Sequence, residues 1–235
     1  MSGNYVIEVN DASVEYYVQQ RKGLISRAVV KRVRALDRVN VKIAKGEIVG
    51  LFGKNGAGKT TLPQLIGGVL RPCEGEVKTV GRVYKLRGAN PGLINSMTPR
   101  ENVRLLASAY GINEEEIGDF ESEIEEFCDL GEAFDRKMST LSSGMAGRVG
   151  FGFTTSLRPE ILLMDETLGV GDKDFRKKAE EKAKDFMKRG ETILLSTHSL
   201  NLAKKMCPRG ILLSEGRILM DGPIDDVVER YTIEN

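Results

Sequence analysis

Apolar and polar residues alternate over residues 5–9 and again over 36–43, the period of two that marks strands with one buried face. The run Ile-Val-Gly-Leu-Phe at 48–52 is apolar almost throughout and predicts a strand covered on both faces. A helix is expected over 61–70, then strands over 74–80 and 82–86 flanking Gly81, before a loop rich in Gly and Pro at 88–92. The period then lengthens to that of a helix. Pro99 and Glu101 open an amphipathic stretch to Tyr110, and 114–130 forms another with Ile117, Phe120, Ile124 and Phe127 on one face, its acidic face predicted to be solvated. Short apolar runs at 161–164, 192–196 and 211–214, separated by polar helical stretches, predict a parallel sheet wrapped by helices, and a last helix spans 225–231. The pattern predicts one domain over 1–235, an α/β core interrupted by a helical insertion at about 91–157.

One stretch departs from this rhythm. From Tyr16 to Leu36 there is no acidic residue, while Arg21, Lys22, Arg27, Lys31, Arg32 and Arg34 are basic. Leu24, Ile25, Ala28 and Val29 fall at helical spacing, which suits a short basic amphipathic helix resting on anionic headgroups. A solvated surface helix or a long hairpin accounts for the same residues.

Residues 53–60, Gly-Lys-Asn-Gly-Ala-Gly-Lys-Thr, fit the phosphate-binding pattern G-x-x-x-x-G-K-[ST] between a predicted strand and a predicted helix. A nucleoside triphosphate is the expected ligand, held by Gly53, Asn55, Gly56, Ala57, Gly58, Lys59, Thr60 and Thr61. Glycines 53, 56 and 58 allow backbone conformations that turn consecutive N–H groups inward at phosphate oxygens. Lys59 adds a full positive charge, and the following helix presents roughly half a charge at its N-terminus. The Thr60 hydroxyl is placed to hold Mg²⁺ against the β- and γ-phosphates. Pro63 sits inside that helix, where a true interior position costs about 3 kcal/mol, and no function accounts for it.

The run at 161–166, Ile-Leu-Leu-Met-Asp-Glu, is an apolar strand ending in two acids, and ligands of such sheets bind at the carboxyl ends of their strands. Asp165 is expected in the Mg²⁺ shell and Glu166 as the base for a water attacking the γ-phosphate, worth about 10²–10⁴ in rate. Ser142 and Ser143 suit the N-cap of another helix. That helix contains Gly147, Gly150 and Gly152, each costing about 0.5–1 kcal/mol relative to Ala, so close packing rather than propensity must hold it.

At 235 residues with 40% hydrophobic content the chain can build a full core, and a net charge of +1 gives no global field for nucleic acid. Cys73, Cys128 and Cys207 form no C-x-x-C pair and His198 is the sole histidine, which disfavours structural zinc. No apolar run approaches the roughly 20 residues of a bilayer span, and the first residues lack a signal pattern. The expected location is the cytosol, at the inner face of a membrane.

In order and spacing, the phosphate loop, the Leu141 to Met145 run, the acidic strand, Asp172 and His198 resemble the ATP-binding subunits of ABC transporters over essentially the whole chain. The resemblance implies a P-loop NTPase (RecA-like) core with an antiparallel β subdomain and an inserted α-helical subdomain, using ATP and Mg²⁺. It implies a head-to-tail homodimer in which Ser142, Ser143 and Gly144 of one copy close on the γ-phosphate held by the other. His198 would contact that phosphate, joining Lys59 and Glu166 as catalytic residues, and Asp172 would couple the two sites. Tyr16 occupies the place of the ring that stacks on adenine, with adjacent Tyr17 as a competitor.

Two departures stand out. Ser143-Gly144-Met145 replaces the usual Gly-Gly-Gln, and the loop before the insertion lacks its usual glutamine, leaving Asn90 as the nearest polar substitute toward the metal. Together with Arg100-Glu101-Asn102 and residues 167–172 (Thr-Leu-Gly-Val-Gly-Asp), they resemble the branch that exports lipid-linked polysaccharides such as O-antigen, capsule or teichoic acid. That likeness implies a separate integral membrane permease and an indirect glycolipid substrate, with no C-terminal carbohydrate-binding domain in this chain. The alternatives are another transporter branch or a soluble ABC ATPase.

Overall fold

The computed structural model describes residues 4–20, 29–87, 91–165, 181, 189–197 and 199–234. Strand β1 (Tyr5–Gln20) pairs antiparallel with β2 (Val29–Ala44) from Tyr5↔Ala44 to Gln20↔Val29, and with β4 (Glu74–Thr79) on its other side. The long hairpin is therefore what forms at the basic stretch. Val29, Lys31, Arg32 and Arg34 lie on strand β2 rather than on a helix, and residues 21–28 lie outside the described residues. Two of the basic residues are paired with acids outside the stretch. Arg32 pairs with Glu15, and Arg34 reaches Glu15 at 3.0 Å, Asp37 at 2.8 Å and Glu74 at 3.2 Å. Partners came from flanking and distant segments.

The second sheet runs β5-β6-β7-β3-β8-β9. Strands β5 (Val83–Arg87), β6 (Ile161–Asp165), β7 (Thr192–Ser196), β3 (Ile48–Phe52) and β8 (Arg209–Ser214) are parallel, while β9 (Arg217–Pro223) is antiparallel at the edge. Its central strands are apolar on both faces because both are covered. Val49, Leu51, Leu163, Leu194 and Leu213 face Ile7, Val9, Leu36 and Ile43 of the antiparallel sheet. On the other face Phe52, Leu162, Ile193 and Leu195 pack with Met206 of α5 (Leu200–Met206) and Val227 of α6 (Ile224–Glu234).

The helix after β3, α1 (Thr61–Ile66), is shorter than its sequence suggested, ending where Gly67 and Gly68 follow, the latter at φ +70°. Pro63 is its third residue. There the N–H that proline lacks would have had no partner inside the helix, which explains how it is tolerated.

Between β5 and β6 the chain builds α2 (Pro99–Ala109), α3 (Ile117–Cys128) and α4 (Ser143–Ser156) around Val103, Phe120, Ile124, Phe134 and Phe153. The expected helix over 114–130 starts as a 3-10 turn at Glu114–Glu116 and stops at Asp129, whose φ is +51°. Its acidic face is not wholly solvated. Glu121 is only 5% exposed and pairs with both Arg100 and Arg104, while Arg100 also holds Glu125 at 2.8 Å and Asp135 at 2.6 Å. Burial pushes the Glu121 carboxyl up, but Arg104 and Arg100 outweigh it and leave it below the usual 4.5. The sequence triplet at 100–102 thus has structural work. Glu101 closes a capping box with Thr98, and the buried Asn102 amide bonds Ile94 N and O at 2.6 and 3.0 Å. The close approach inferred from the glycines of α4 is found at Gly152, where an added Cβ would stand 3.0 Å from Phe127 and 3.2 Å from Cys128 Sγ.

Candidate nucleotide-binding site

Strand register sets the stage. Leu51 of β3 is level with Ser196 of β7, which is level with Asp165 of β6, so the phosphate loop and the acidic strand end leave the sheet at one edge. Only the backbone of Asp165 is described. Glu166, Asp172, His198 and Asn90, along with the rest of 167–172, lie outside the described residues. The Ser196 hydroxyl at this edge is fully buried and has no hydrogen-bond partner among the described residues.

The loop from 53 to 60 wraps as its glycines require. At Gly53, with φ +150°, a Cβ would lie 2.4 Å from the Leu213 carbonyl oxygen, so no other residue fits. Gly58, with φ +108°, presses on β2, where a Cβ would meet Leu36 Cδ2 at 2.8 Å and Ala35 O at 3.0 Å. Inside the loop Ala57 N donates to Lys54 O at 3.1 Å, and Thr61 N and Leu62 N both donate to Gly58 O at 3.0 Å. Lys59 Nζ folds onto the carbonyl oxygens of Gly53 and Lys54, the latter at 3.1 Å. The exposed Thr60 side chain makes no capping bond with α1, which leaves its hydroxyl available to a ligand.

Lys54, Asn55, Gly56, Gly58, Lys59, Thr60 and Thr61 line a cleft of about 290 Å³ together with Tyr16 and Ala35 of the adjoining strands. Tyr16 is half-buried against the core and its hydroxyl lies 3.5 Å from Gln64 Oε1, whereas Tyr17 is 71% exposed and does not line the cleft. Strand alternation puts only one of two adjacent tyrosines on the loop side. Ala35 was not legible in advance, since a small residue on a strand carries no signal of its own.

Ser142, Ser143 and Gly144 are elsewhere. Ser142 caps α4 by accepting from Met145 N at 3.2 Å, and both serines are exposed and absent from the cleft lining. The cleft is therefore lined by the 53–60 loop, and these three residues do not join it within the same chain.

Residues 36–169 match the family model described as ABC transporter. The chain is 37% identical over 201 residues to the O-antigen export system ATP-binding protein RfbB of Klebsiella pneumoniae, covering 86% of this chain and 82% of that protein. It is 36% identical over 197 residues to the teichoic acids export ATP-binding protein TagH of Bacillus cereus, covering 84% of this chain but 36% of that longer relative. Among solved structures, a dimeric post-hydrolysis state of an ATP-binding cassette bound to ADP and Pi superposes with a TM-score of 0.77 at 25% identity, covering 93% of this chain and 98% of that one.

Proposed function

We propose, from the premise that this chain belongs to the ABC transporter family, that it is the ATP-binding and ATP-hydrolysing subunit of a lipid-linked polysaccharide exporter. The observation that carries the reading is the cleft itself, lined by the phosphate loop together with Tyr16. Adenine lies against Tyr16 and the triphosphate runs along Gly56 to Thr61. Lys59 then exchanges the Gly53 and Lys54 carbonyls for phosphate oxygens, trading neutral acceptors for charged ones, which hydrogen-bond about twice as strongly.

The described residues fit a magnesium ion at this place, because Thr60 offers an uncommitted hydroxyl on the loop side and the strand carrying Asp165 ends at the same sheet edge. When bound, Mg²⁺ neutralises charge on the β- and γ-phosphates. Glu166 takes a proton from the attacking water as its oxygen bonds the γ-phosphorus and the bond to the β-bridging oxygen breaks, leaving ADP. His198 steadies the γ-phosphate and Asn90 stands in for the usual loop glutamine.

Ser142, Ser143 and Gly144 close on the γ-phosphate of the partner copy, which accounts for an exposed helix N-terminus with no ligand of its own, and Asp172 couples the two sites. The dimeric solved neighbour supports this arrangement. No helix among the described residues is long and apolar enough to cross a membrane, so the reading gives the translocation path to a separate membrane subunit. The names of the relatives support a glycolipid cargo. The test is twofold. Purified protein should hydrolyse ATP with Mg²⁺, and removing the gene should trap lipid-linked glycan inside the cell. Unchanged surface glycan in that strain would sink the cargo assignment while leaving the ATPase intact.

A further inference from the structure

The turn that joins β8 to β9 bridges the phosphate loop and β2. Glu215 and Gly216 occupy its centre with φ +48° and +78°, the left-handed pair of a tight two-residue hairpin. Gly216 N donates to Ala57 O of the phosphate loop at 3.1 Å, and Gly216 O accepts from Asp37 N of β2 at 2.8 Å. One peptide segment therefore bonds the loop on one side and the strand that carries Ala35 on the other. The approach is as close as backbone allows, since a Cβ on Gly216 would lie 2.8 Å from Ala35 O and 3.2 Å from Leu36 Cα.

Charge ties the turn on to β1. Arg217 Nε donates to Asp37 Oδ2 at 2.7 Å, and the other oxygen of that carboxylate accepts from Arg34 at 2.8 Å. Arg34 Nε in turn donates at 3.0 Å to Glu15, the residue before Tyr16. The Asp37 side chain is 13% exposed and that of Glu15 is 6%, while the guanidinium end of the chain at Arg217 lies in solvent.

We propose that Gly216 and the Arg217–Asp37 pair are positioning residues for the nucleotide base. They fix the gap between the phosphate loop and the strand pair bearing Tyr16 and Ala35, and this inference rests on the ATPase reading above. The phosphate contacts belong to the loop, to His198 and to the partner's Ser142, Ser143 and Gly144. Only the base needs the loop and the hairpin at a set spacing, because a stacked ring must be met in van der Waals contact. Releasing the turn should therefore weaken ligands that carry a base and spare those that do not.

The experiment compares ATP with inorganic tripolyphosphate, each titrated calorimetrically with Mg²⁺ into full-length protein. Arg217→Ala is the mild variant, since its side chain is 73% exposed and its loss leaves no cavity. ATP binding should weaken about tenfold, equal to about 1.4 kcal/mol, while tripolyphosphate stays within about twofold. Arg217→Lys should recover most of the loss. Gly216→Ala should weaken ATP further, with circular dichroism confirming that the variant is folded. Equal weakening of both ligands, or unchanged ATP affinity in Arg217→Ala, overturns the proposal. A wild-type protein that binds tripolyphosphate but not ATP overturns the base site and the clamp together, and one that binds neither overturns the ATPase reading itself.

Discussion

Lys59 Nζ donates to the carbonyl oxygen of Gly53, so its cation is held by the first residue of its own loop. In the proposed function, Lys59 exchanges this carbonyl and that of Lys54 for phosphate oxygens. Lys59→Ala should therefore abolish detectable ATP turnover, a loss of at least about 10² in kcat/KM, the scale for removing one preorganised donor from a developing charge. Lys59→Arg should not rescue it, because a planar fork cannot replace a point charge in this turn. Turnover of Lys59→Ala within tenfold of wild type would remove Lys59 from the catalytic set.

Glu166→Gln should keep ATP binding and lose turnover, since the amide preserves shape but accepts no proton. The same variant should dimerise with ATP and Mg²⁺, its unhydrolysed γ-phosphate bridging each loop to the partner's Ser142 to Gly144. Light scattering that finds only monomer would count against the shared site.

Gly152→Leu should destabilise the protein by about 1–3 kcal/mol, the usual result of overpacking. The new side chain would have to enter the space already held by Phe127, Cys128 and Ile124 of α3. A urea midpoint equal to wild type would mean that α3 and α4 are not in contact in solution.

Acid should unfold the protein through its paired carboxylates. Glu121, Asp135, Glu15 and Asp37 all titrate below their usual values; Arg100 holds Asp135 down, Arg32 holds Glu15 and Arg217 holds Asp37. A carboxylate depressed in the folded state contributes stability that is complete above its unfolded value and fades as pH falls through the folded one. The urea midpoint should thus be level near neutrality and drop below about pH 4. In Glu121→Gln the neutral baseline should fall and the acid limb should become shallower. An acid limb identical in slope to wild type would exclude Glu121 from this effect.

The sequence carried the parallel sheet, the phosphate loop and the helical insertion because each has a local signature of period or glycine spacing. Tyr16 needed the strand to be seen as a strand, since alternation alone separates it from Tyr17. The hairpin was harder, because Leu24, Ile25, Ala28 and Val29 fall at helical spacing and the strand that pairs with β2 lies before a long basic stretch. Arg32 and Arg34 looked like free charge because Glu15, Asp37 and Glu74 reach them only after β1, β2 and β4 have come together. Gly216 was illegible for the same reason. A glycine in a turn is ordinary in sequence, and its grip on Ala57 and Asp37 exists only in three dimensions.

Arg100 binds carboxylates on α3 and on the turn at Gly131–Asp135 from its own place on α2, with its guanidinium 5.1 Å above the Phe134 ring. Elements riveted at one point cannot slide past one another without breaking several charged bonds at once. α3 in turn packs directly on the bare backbone of α4 at Gly152. The far end of that helix is Ser142. The insertion is thus braced as one block, from Arg100 on α2 through α3 to the helix that Ser142 caps.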